Sequence, residues 1–383
     1  MIPYGRQDIS QADIDAVVEV LRSDFLTQGP AIPAFEDAVA RYCGAEYAVA
    51  VNSATSALHI ACLALGVGPG DLVWTSPITF VASANCALYC GAKVDFVDID
   101  PLTFNISISA LRTKLEQVVA AALPLPKVLI PVHLAGASCD MEAISALGKE
   151  FGFRVLEDAS HAIGGKYQES PVGSCRYSDI TVFSFHPVKI ITTGEGGMAV
   201  TNSPELHEKL TRLRTHGITR DESSMERESD GPWYYEQIDL GFNYRMTDLQ
   251  AALGLSQLQR LDTFVARRNI LAEQYKKAFE GLLIGDQKVP GDVTSACHLF
   301  IVRVDPLHHR HIFEVLRAEG VGVNLHYIPV HTQPYYERMG FQKGGFPEAE
   351  KYYSEAISLP LYPLLSTEEQ GRIVAVVRQC LIS

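Results

Sequence analysis

The sequence predicts an α/β protein: a mostly parallel sheet covered by helices on both faces, followed by a smaller C-terminal α+β unit. Three observations lead there. Strand-length runs at 47–51 and 128–132 are apolar almost throughout instead of alternating, as strands buried on both faces are. Helical periodicity fills intervals between such runs, the order of βαβ units. And 383 residues exceed what one hydrophobic core serves, while the texture changes near residue 283.

The elements follow in order. After a polar arm, Ser10 caps a helix over 10–21 with Ile14, Val17, Val18 and Leu21 on one face. The turn Leu-Thr-Gln-Gly-Pro at 26–30 ends it, and a second helix runs over 33–43. The strand at 47–51 breaks at the small polar turn 52–56, and a helix follows over 57–63. The glycines at 66–70 lie after a helix and before a strand (72–75), the reverse of the dinucleotide-binding context, so they form a turn. A helix opens over 79–85, with strands at 93–97 and 128–132, a helix over 141–151 and strands at 153–156 and 179–185. The glycine turn 194–197 leads to a short apolar run at 198–200 and a helix over 205–216. Residues 219–235 are polar and charged and are expected to be a mobile loop. Helices over 249–261 and 264–279 follow, the second joining the two units. Beyond lie strands at 298–304 and 322–327 and helices over 312–319 and 368–381.

Bulk composition removes several classes of function. The chain carries 45 acidic against 32 basic residues, a net charge of −13, which argues against nucleic acid or an anionic membrane as partner. Eight scattered cysteines without a CxxC pair fit buried thiols in a reducing, cytoplasmic setting. No signal-peptide pattern and no apolar run of about 18 residues is visible, and no metal site is expected.

The chemistry gathers at three places. Lys189 follows the buried run 179–185 and precedes the Gly-rich turn; burying an ammonium there costs several kcal/mol unless it is paired or chemically altered. Asp158 ends another apolar run, at the level where ligands of open α/β sheets bind. Taken alone, the stretch 157–162 fits a helix cap and a core histidine as well as a site built from Asp158 and His161. The 52–56 turn could present backbone N–H groups to a phosphate or simply cap a helix. Pyridoxal 5′-phosphate needs all three together: an amine for its aldehyde, a carboxylate for its ring nitrogen and donors for its phosphate.

At this point a resemblance becomes specific. The motifs Leu-Thr-Gln-Gly-Pro (26–30), Asn-Ser-Ala-Thr-Ser-Ala-Leu (52–58), Thr79-Phe80, Glu-Asp-Ala-Ser-His (157–161), Ser-Phe-His-Pro-Val-Lys (184–189), Thr-Gly-Glu-Gly-Gly (193–197), Asn-Tyr-Arg-Met (243–246) and Ile-Ser-Leu-Pro-Leu-Tyr-Pro (357–363) occur in order along nearly the whole chain. The sequence resembles the DegT/DnrJ/StrS family of sugar aminotransferases, pyridoxal-phosphate enzymes of aspartate-aminotransferase-like fold type I. Within it the chain is most similar to the UDP-sugar aminotransferases of pseudaminic acid biosynthesis.

The resemblance implies a seven-stranded, mostly parallel sheet. It implies an arm and helix at 1–30 that contributes to the active site, a large cofactor-binding domain at 31–260 and a small domain at 261–383. Lys189 matches the lysine that bonds the cofactor and moves the substrate proton, and Asp158 the carboxylate that holds the pyridinium proton. His161 stands near the cofactor's 3′-oxygen, Phe80 stacks on the ring, and Ala54, Thr55 and Ser184 form the phosphate cup. Asn243 reaches that phosphate from the partner subunit, which implies a homodimer with shared active sites. For the sugar nucleotide the resemblance points to Tyr4, Leu26, Thr27, Gln28, Gly29, Ser56, Leu325, His326, Tyr327 and Ile328. Relatives often carry a lysine where this chain has Tyr-Ile-Pro at 327–329, so diphosphate recognition differs there; His186, a tyrosine in many relatives, is given no catalytic role.

The implied reaction moves the amino group of L-glutamate, which leaves as 2-oxoglutarate, to C4 of a UDP-linked 2-acetamido-2,6-dideoxy-4-hexulose. The cofactor alternates between pyridoxal and pyridoxamine phosphate. Alternatives are another nucleotide ketosugar (a TDP-sugar or UDP-4-keto-arabinose) and, more remotely, a non-catalytic ligand-binding regulator, against which the intact Lys189 and Asp158 argue. Dehydratases of this fold carry histidine in place of the lysine, so Lys189 argues against that activity too.

Overall fold

A computed structural model describes residues 1–382. Seven strands, β1 (Tyr47–Val51), β2 (Leu72–Thr75), β3 (Lys93–Phe96), β4 (Val128–Ile130), β5 (Arg154–Asp158), β6 (Ile180–Ser184) and β7 (Gly197–Thr201), form one sheet in the order β1-β7-β6-β5-β4-β2-β3. Only β7 runs antiparallel to its neighbours; the pairs β6-β5, β5-β4, β4-β2 and β2-β3 are parallel. The seven-stranded, mostly parallel sheet is as the sequence implied.

The apolar runs have a direct cause. In β1, Val49 and Val51 enter a core on one face of the sheet while Ala48 and Ala50 enter a core on the other, so neither set of alternating side chains meets water. The helices α1 (Gln11–Arg22), α2 (Ala31–Cys43), α3 (Ala54–Ala64), α4 (Ala82–Tyr89), α5 (Ile108–Ala120), α6 (Met141–Phe151), α7 (Pro204–Leu213) and α8 (Asp248–Leu258) accompany the sheet. Helices α3, α4 and α7 cover one face with β2, β4 and β5 residues Val73, Val128, Ile130 and Leu156. On the other face α2 and α8 pack against β6 and β7, and α5 and α6 pack against Trp74, Leu129 and Val155.

Helix α9 (Leu261–Phe279) joins two cores: Leu261, Phe264 and Val265 belong with the sheet, Leu271, Tyr275 and Phe279 with a second cluster. That cluster is built by the antiparallel strands β8 (Gly285–Asp286), β9 (Phe300–Arg303) and β10 (Ala356–Leu359) with α10 (His309–Ala318) and the terminal helix, and it takes in Ile2 from the arm. Two short helices, α11 (Pro334–Glu337) and α12 (Pro347–Glu355), precede β10, and α13 (Thr367–Ile382) closes the chain.

Several expectations change. Helix α5 was not anticipated; its fully buried residues are Leu111 and Leu115, which leaves little apolar stripe to mark it in the sequence. The strand expected at 322–327 is instead an extended segment with isolated bridges at Val321 and Asn324 and a cis bond between His326 and Tyr327, and β10 takes the place beside β9. The polar stretch 219–235 contains a helical turn at Glu222–Ser224, and the Glu236 carboxylate accepts from the N–H groups of Glu226 and Arg227 and from the Tyr234 hydroxyl. Seven of the eight cysteines are buried. Among the described residues no helix is long and apolar enough to cross a membrane.

Helix α1 is rotated from its expected orientation, with Val17 and Val18 half-buried. Ile14 and Leu21 are exposed, and the buried residue is Asp13. Its carboxylate accepts from Ser10 N–H at 2.8 Å, Ser256 Oγ at 2.6 Å, Gln257 Nε2 at 2.7 Å and the Arg260 guanidinium at 2.6 Å, which anchors α1 on α8. A buried carboxylate so supplied with donors outweighs an apolar stripe in choosing the docked face. Asp13→Ala should therefore lower unfolding stability by about 3 kcal/mol in urea titration and speed proteolysis within residues 1–30; an unchanged midpoint and cleavage rate would refute the anchor.

Candidate active site

A cavity of about 520 Å³ opens at the carboxyl ends of β5 and β6, where parallel strands of an open sheet place their ligands. Asp158 ends β5, Ser184 ends β6, and the chain after β6 carries Lys189 to the same space. The chain then returns as β7 close against the start of α3: a Cβ on Gly197 would lie 2.4 Å from Ala54 N, so only glycine permits the contact. That approach sets Ser53, Ala54 and Thr55 on the cavity wall. Ser53 caps α3 by accepting from Ser56 N–H, and Ala54 and Thr55, the first two helical residues, have no intrahelical acceptor for their N–H groups.

The electrostatics are unusual. The Lys189 amine has no hydrogen-bond or ion-pair partner among the described residues; burial pushes its ammonium down to about 8, with Asp158 pulling the other way. Asp158 accepts from Ser83 Oγ at 2.5 Å on one oxygen, and from Ser160 N–H at 3.1 Å and Ser160 Oγ at 2.6 Å on the other. Because Ser83 gives its proton to the carboxylate, the Thr79 hydroxyl 2.7 Å away donates to Ser83. Burial holds His161 and His298 well below the usual histidine range and His326 at about 3, so the three rings are neutral.

Beneath Asp158 lies a dry support. Cys139 N–H donates to His133 Nδ1 at 3.1 Å, so Nε2–H donates to Glu157 at 2.7 Å. Burial opposes the Glu157 charge, and donors from His133, Ser178 and Thr181 more than offset it, lowering its pKa.

Of the residues singled out from sequence, Tyr4, Ala54, Thr55, Phe80, Asp158, His161, Ser184, Lys189, Leu325, His326 and Tyr327 line this one cavity. Phe80 is 58% exposed at the mouth, 6.2 Å from the Tyr327 ring. The others lie elsewhere. Ser56 turns its hydroxyl to Asn52 and Ser53, and Ile328 is exposed. Leu26, Thr27, Gln28 and Gly29 are pinned to the segment 243–248 through the Thr27–Thr247 bridge and the bond from Gly29 N–H to Asp248; exposed Asn243 belongs to the same edge. The structure thus gathers these five on one outer surface, away from the cavity of their own chain.

A family model described as the DegT/DnrJ/EryC1/StrS aminotransferase family matches residues 7–378. The chain belongs to this family. It is a pyridoxal-phosphate-dependent sugar aminotransferase. Similar proteins include the spore coat polysaccharide biosynthesis protein SpsC of Bacillus subtilis (strain 168), 41% identical over 98% of this chain and 96% of its own. Among solved structures, Helicobacter pylori PseC, an aminotransferase involved in the biosynthesis of pseudoaminic acid, matches with a TM-score of 0.90 and 31% identity over 100% of this chain and 99% of its own. The putative sugar aminotransferase Spr1654 of Streptococcus pneumoniae, solved in its PMP form, matches with a TM-score of 0.91 and 31% identity over 100% and 99% of the two chains.

The aminotransferase cavity fits its cofactor: a desolvated amine, a carboxylate braced by two serines, free helix N–H groups and an aromatic at the mouth face one space. Ser53, Ser83, Ser160 and His298 were missed from sequence. Ser53 could have been found as the cap inside the 52–56 turn, and Ser83 from its spacing of four after Thr79. Nothing local marks His298, which comes from beyond α9.

The lysine shift carries a sign. The folded chain disfavours the ammonium, so protonation costs stability below pH 8, and the cost fades from there to 10.5, where the unfolded chain's lysine also loses its proton. In the cofactor-free protein Lys189→Met should therefore raise stability by about 1–3 kcal/mol at pH 7, with the gap closing toward pH 10.5. Denaturant midpoints across pH check this; a gap constant with pH contradicts it.

Proposed function

We propose that this aminotransferase moves the amino group of L-glutamate to C4 of a UDP-linked 2-acetamido-2,6-dideoxy-4-hexulose, in nonulosonate (pseudaminic acid) biosynthesis. The observation that carries the chemistry is Lys189 facing Asp158 across one cavity beside the open N-terminus of α3. The end-to-end likeness to PseC supports the choice of sugar. When bound, pyridoxal phosphate supplies an electron sink for the substrate's α-carbon.

The chain's own residues do the rest. Lys189 takes the proton from the substrate carbon and returns it, first as base and then as acid, a task suited to an amine with a pKa of about 8. Asp158, held by Ser83 and Ser160, keeps the ring nitrogen protonated. Ala54, Thr55 and Ser184, all on the cavity wall, would hold the phosphate, and Phe80 and His161 would hold the ring. Tyr4, Leu325, His326 and Tyr327 form the sugar side of the cavity.

The protein acts as a homodimer in this reading. Asn243 and the turn at 26–29 form one exposed edge, with Leu26 and nearby Phe25 and Leu21 also exposed, as a surface serving the partner's cavity requires. The arm at 1–30, the unit at 31–260 and the unit at 261–383 are its working parts. The enzyme works in the cytoplasm.

A second reading is favoured by the 41% identity to a spore coat polysaccharide protein: the acceptor is another nucleotide-linked ketosugar for a surface polysaccharide. Mass spectrometry of products from a panel of UDP- and TDP-4-ketosugars with glutamate separates the two; amination confined to TDP-sugars sinks the first. Lys189→Ala should lose turnover while keeping bound pyridoxamine phosphate, and full turnover in that variant would reject the mechanism. Mixing inactive Lys189→Ala and Asn243→Ala proteins should restore about a quarter of wild-type activity through heterodimers; no recovery despite subunit exchange rejects shared sites.

A further inference from the structure

The hydrogen positions on His161 are decided by backbone. Ala135 N–H donates to its Nδ1 at 3.3 Å, so that nitrogen bears a lone pair. Burial and the nearby Lys189 charge keep the ring from taking a second proton. Its single proton therefore sits on Nε2, 3.0 Å from the Tyr327 hydroxyl. The ring donates to the Tyr327 oxygen, and that hydroxyl has to send its own proton elsewhere. Among the described residues Tyr327 makes no other side-chain hydrogen bond, and it lines the cavity that holds Lys189 and Asp158.

The turn that aims the Ala135 N–H is fixed from several sides. Ala135 sits at φ 59°, a strained value for a residue with a Cβ, and Gly136 at φ 101°. A Cβ on Gly136 would lie 2.9 Å from Cys297 N and 3.0 Å from His298 N, so the turn abuts that strand end. Leu134 N–H donates to Asn105 at 3.0 Å, and the Ala135 carbonyl accepts from His298 N–H at 2.8 Å. The His298 ring packs on His161 at 4.4 Å between centroids, which holds the imidazole plane.

We propose that this turn makes Tyr327 a one-way donor into the cavity: Ala135 fixes His161 as the Nε2–H form, His161 donates to Tyr327, and Tyr327 donates to an acceptor-only oxygen of the bound ligand. His161 is then a positioning residue, and Tyr327 touches the ligand. Two oxygens have that chemistry, the ionised ring oxygen of the cofactor and the carbonyl oxygen of the ketosugar. The assignment of the acceptor rests on the proposed function; the hydrogen positions do not.

The test has two parts. Histidine-¹⁵N-labelled protein, cofactor-free and loaded with pyridoxal phosphate, is examined by two-bond ¹H–¹⁵N correlation at pH 7.5, with His161→Gln and Tyr327→Phe each used to assign the ring. An Nε2–H pattern for His161 is expected; an Nδ1–H or doubly protonated pattern overturns the proposal. Tyr327→Phe, loaded with cofactor, is then compared with wild type in its absorption spectrum and in the glutamate and sugar half-reactions. A loss of about tenfold to hundredfold is expected. A changed spectrum and a slowed glutamate half-reaction identify the cofactor oxygen, while an unchanged spectrum and a slowed sugar half-reaction identify the sugar carbonyl. Wild-type behaviour in all three overturns the proposal. If wild type aminates no ketosugar, the proposed function fails while the tautomer result stands on its own.

Discussion

Holding one lysine amine in partly desolvated surroundings is the constraint on which the site depends. Desolvation disfavours an ammonium that has no partner against the neutral amine, and it brings Lys189 to about 8. The sheet makes this possible. Strands covered on both faces end in a region that side chains from several elements can close, and β7 returns tightly enough, through Gly197, to leave the start of α3 as the opposite wall.

The opposing charge is supported by a different device. Asp158 is not paired with a cation; it is braced by the hydroxyls of Ser83 and Ser160, with Thr79 donating to Ser83 behind it. Hydroxyls can orient a carboxylate without neutralising it, which leaves its charge available to a ring nitrogen in the proposed reaction. The buried His133–Glu157 pair below supplies rigidity to the same strand end, since each of its atoms already has a partner.

The cavity wall also carries Glu195 and four histidines. Three of these histidines, His161, His298 and His326, are neutral because burial and the nearby Lys189 charge both disfavour the imidazolium. A neutral ring can have a fixed direction of donation, which a titrating one cannot.

The fold class, the seven-stranded sheet and the meeting of Lys189 with Asp158 were legible in the sequence, because two-sided burial writes itself as apolar runs and strand ends in a parallel sheet share one level. Local chemistry also announced the caps at Ser10 and the 52–56 turn. Tertiary structure alone decided the rest. The docked face of α1 went to Asp13 because its donors lie in α8, more than 240 residues away. The segment 322–327 meets β10 only through the Asn324–Ser358 bridge, while β10 itself pairs with β9. His298 and the Leu134–Gly136 turn reached the site through contacts between the two cores, and no local periodicity records a contact made at such sequence separation.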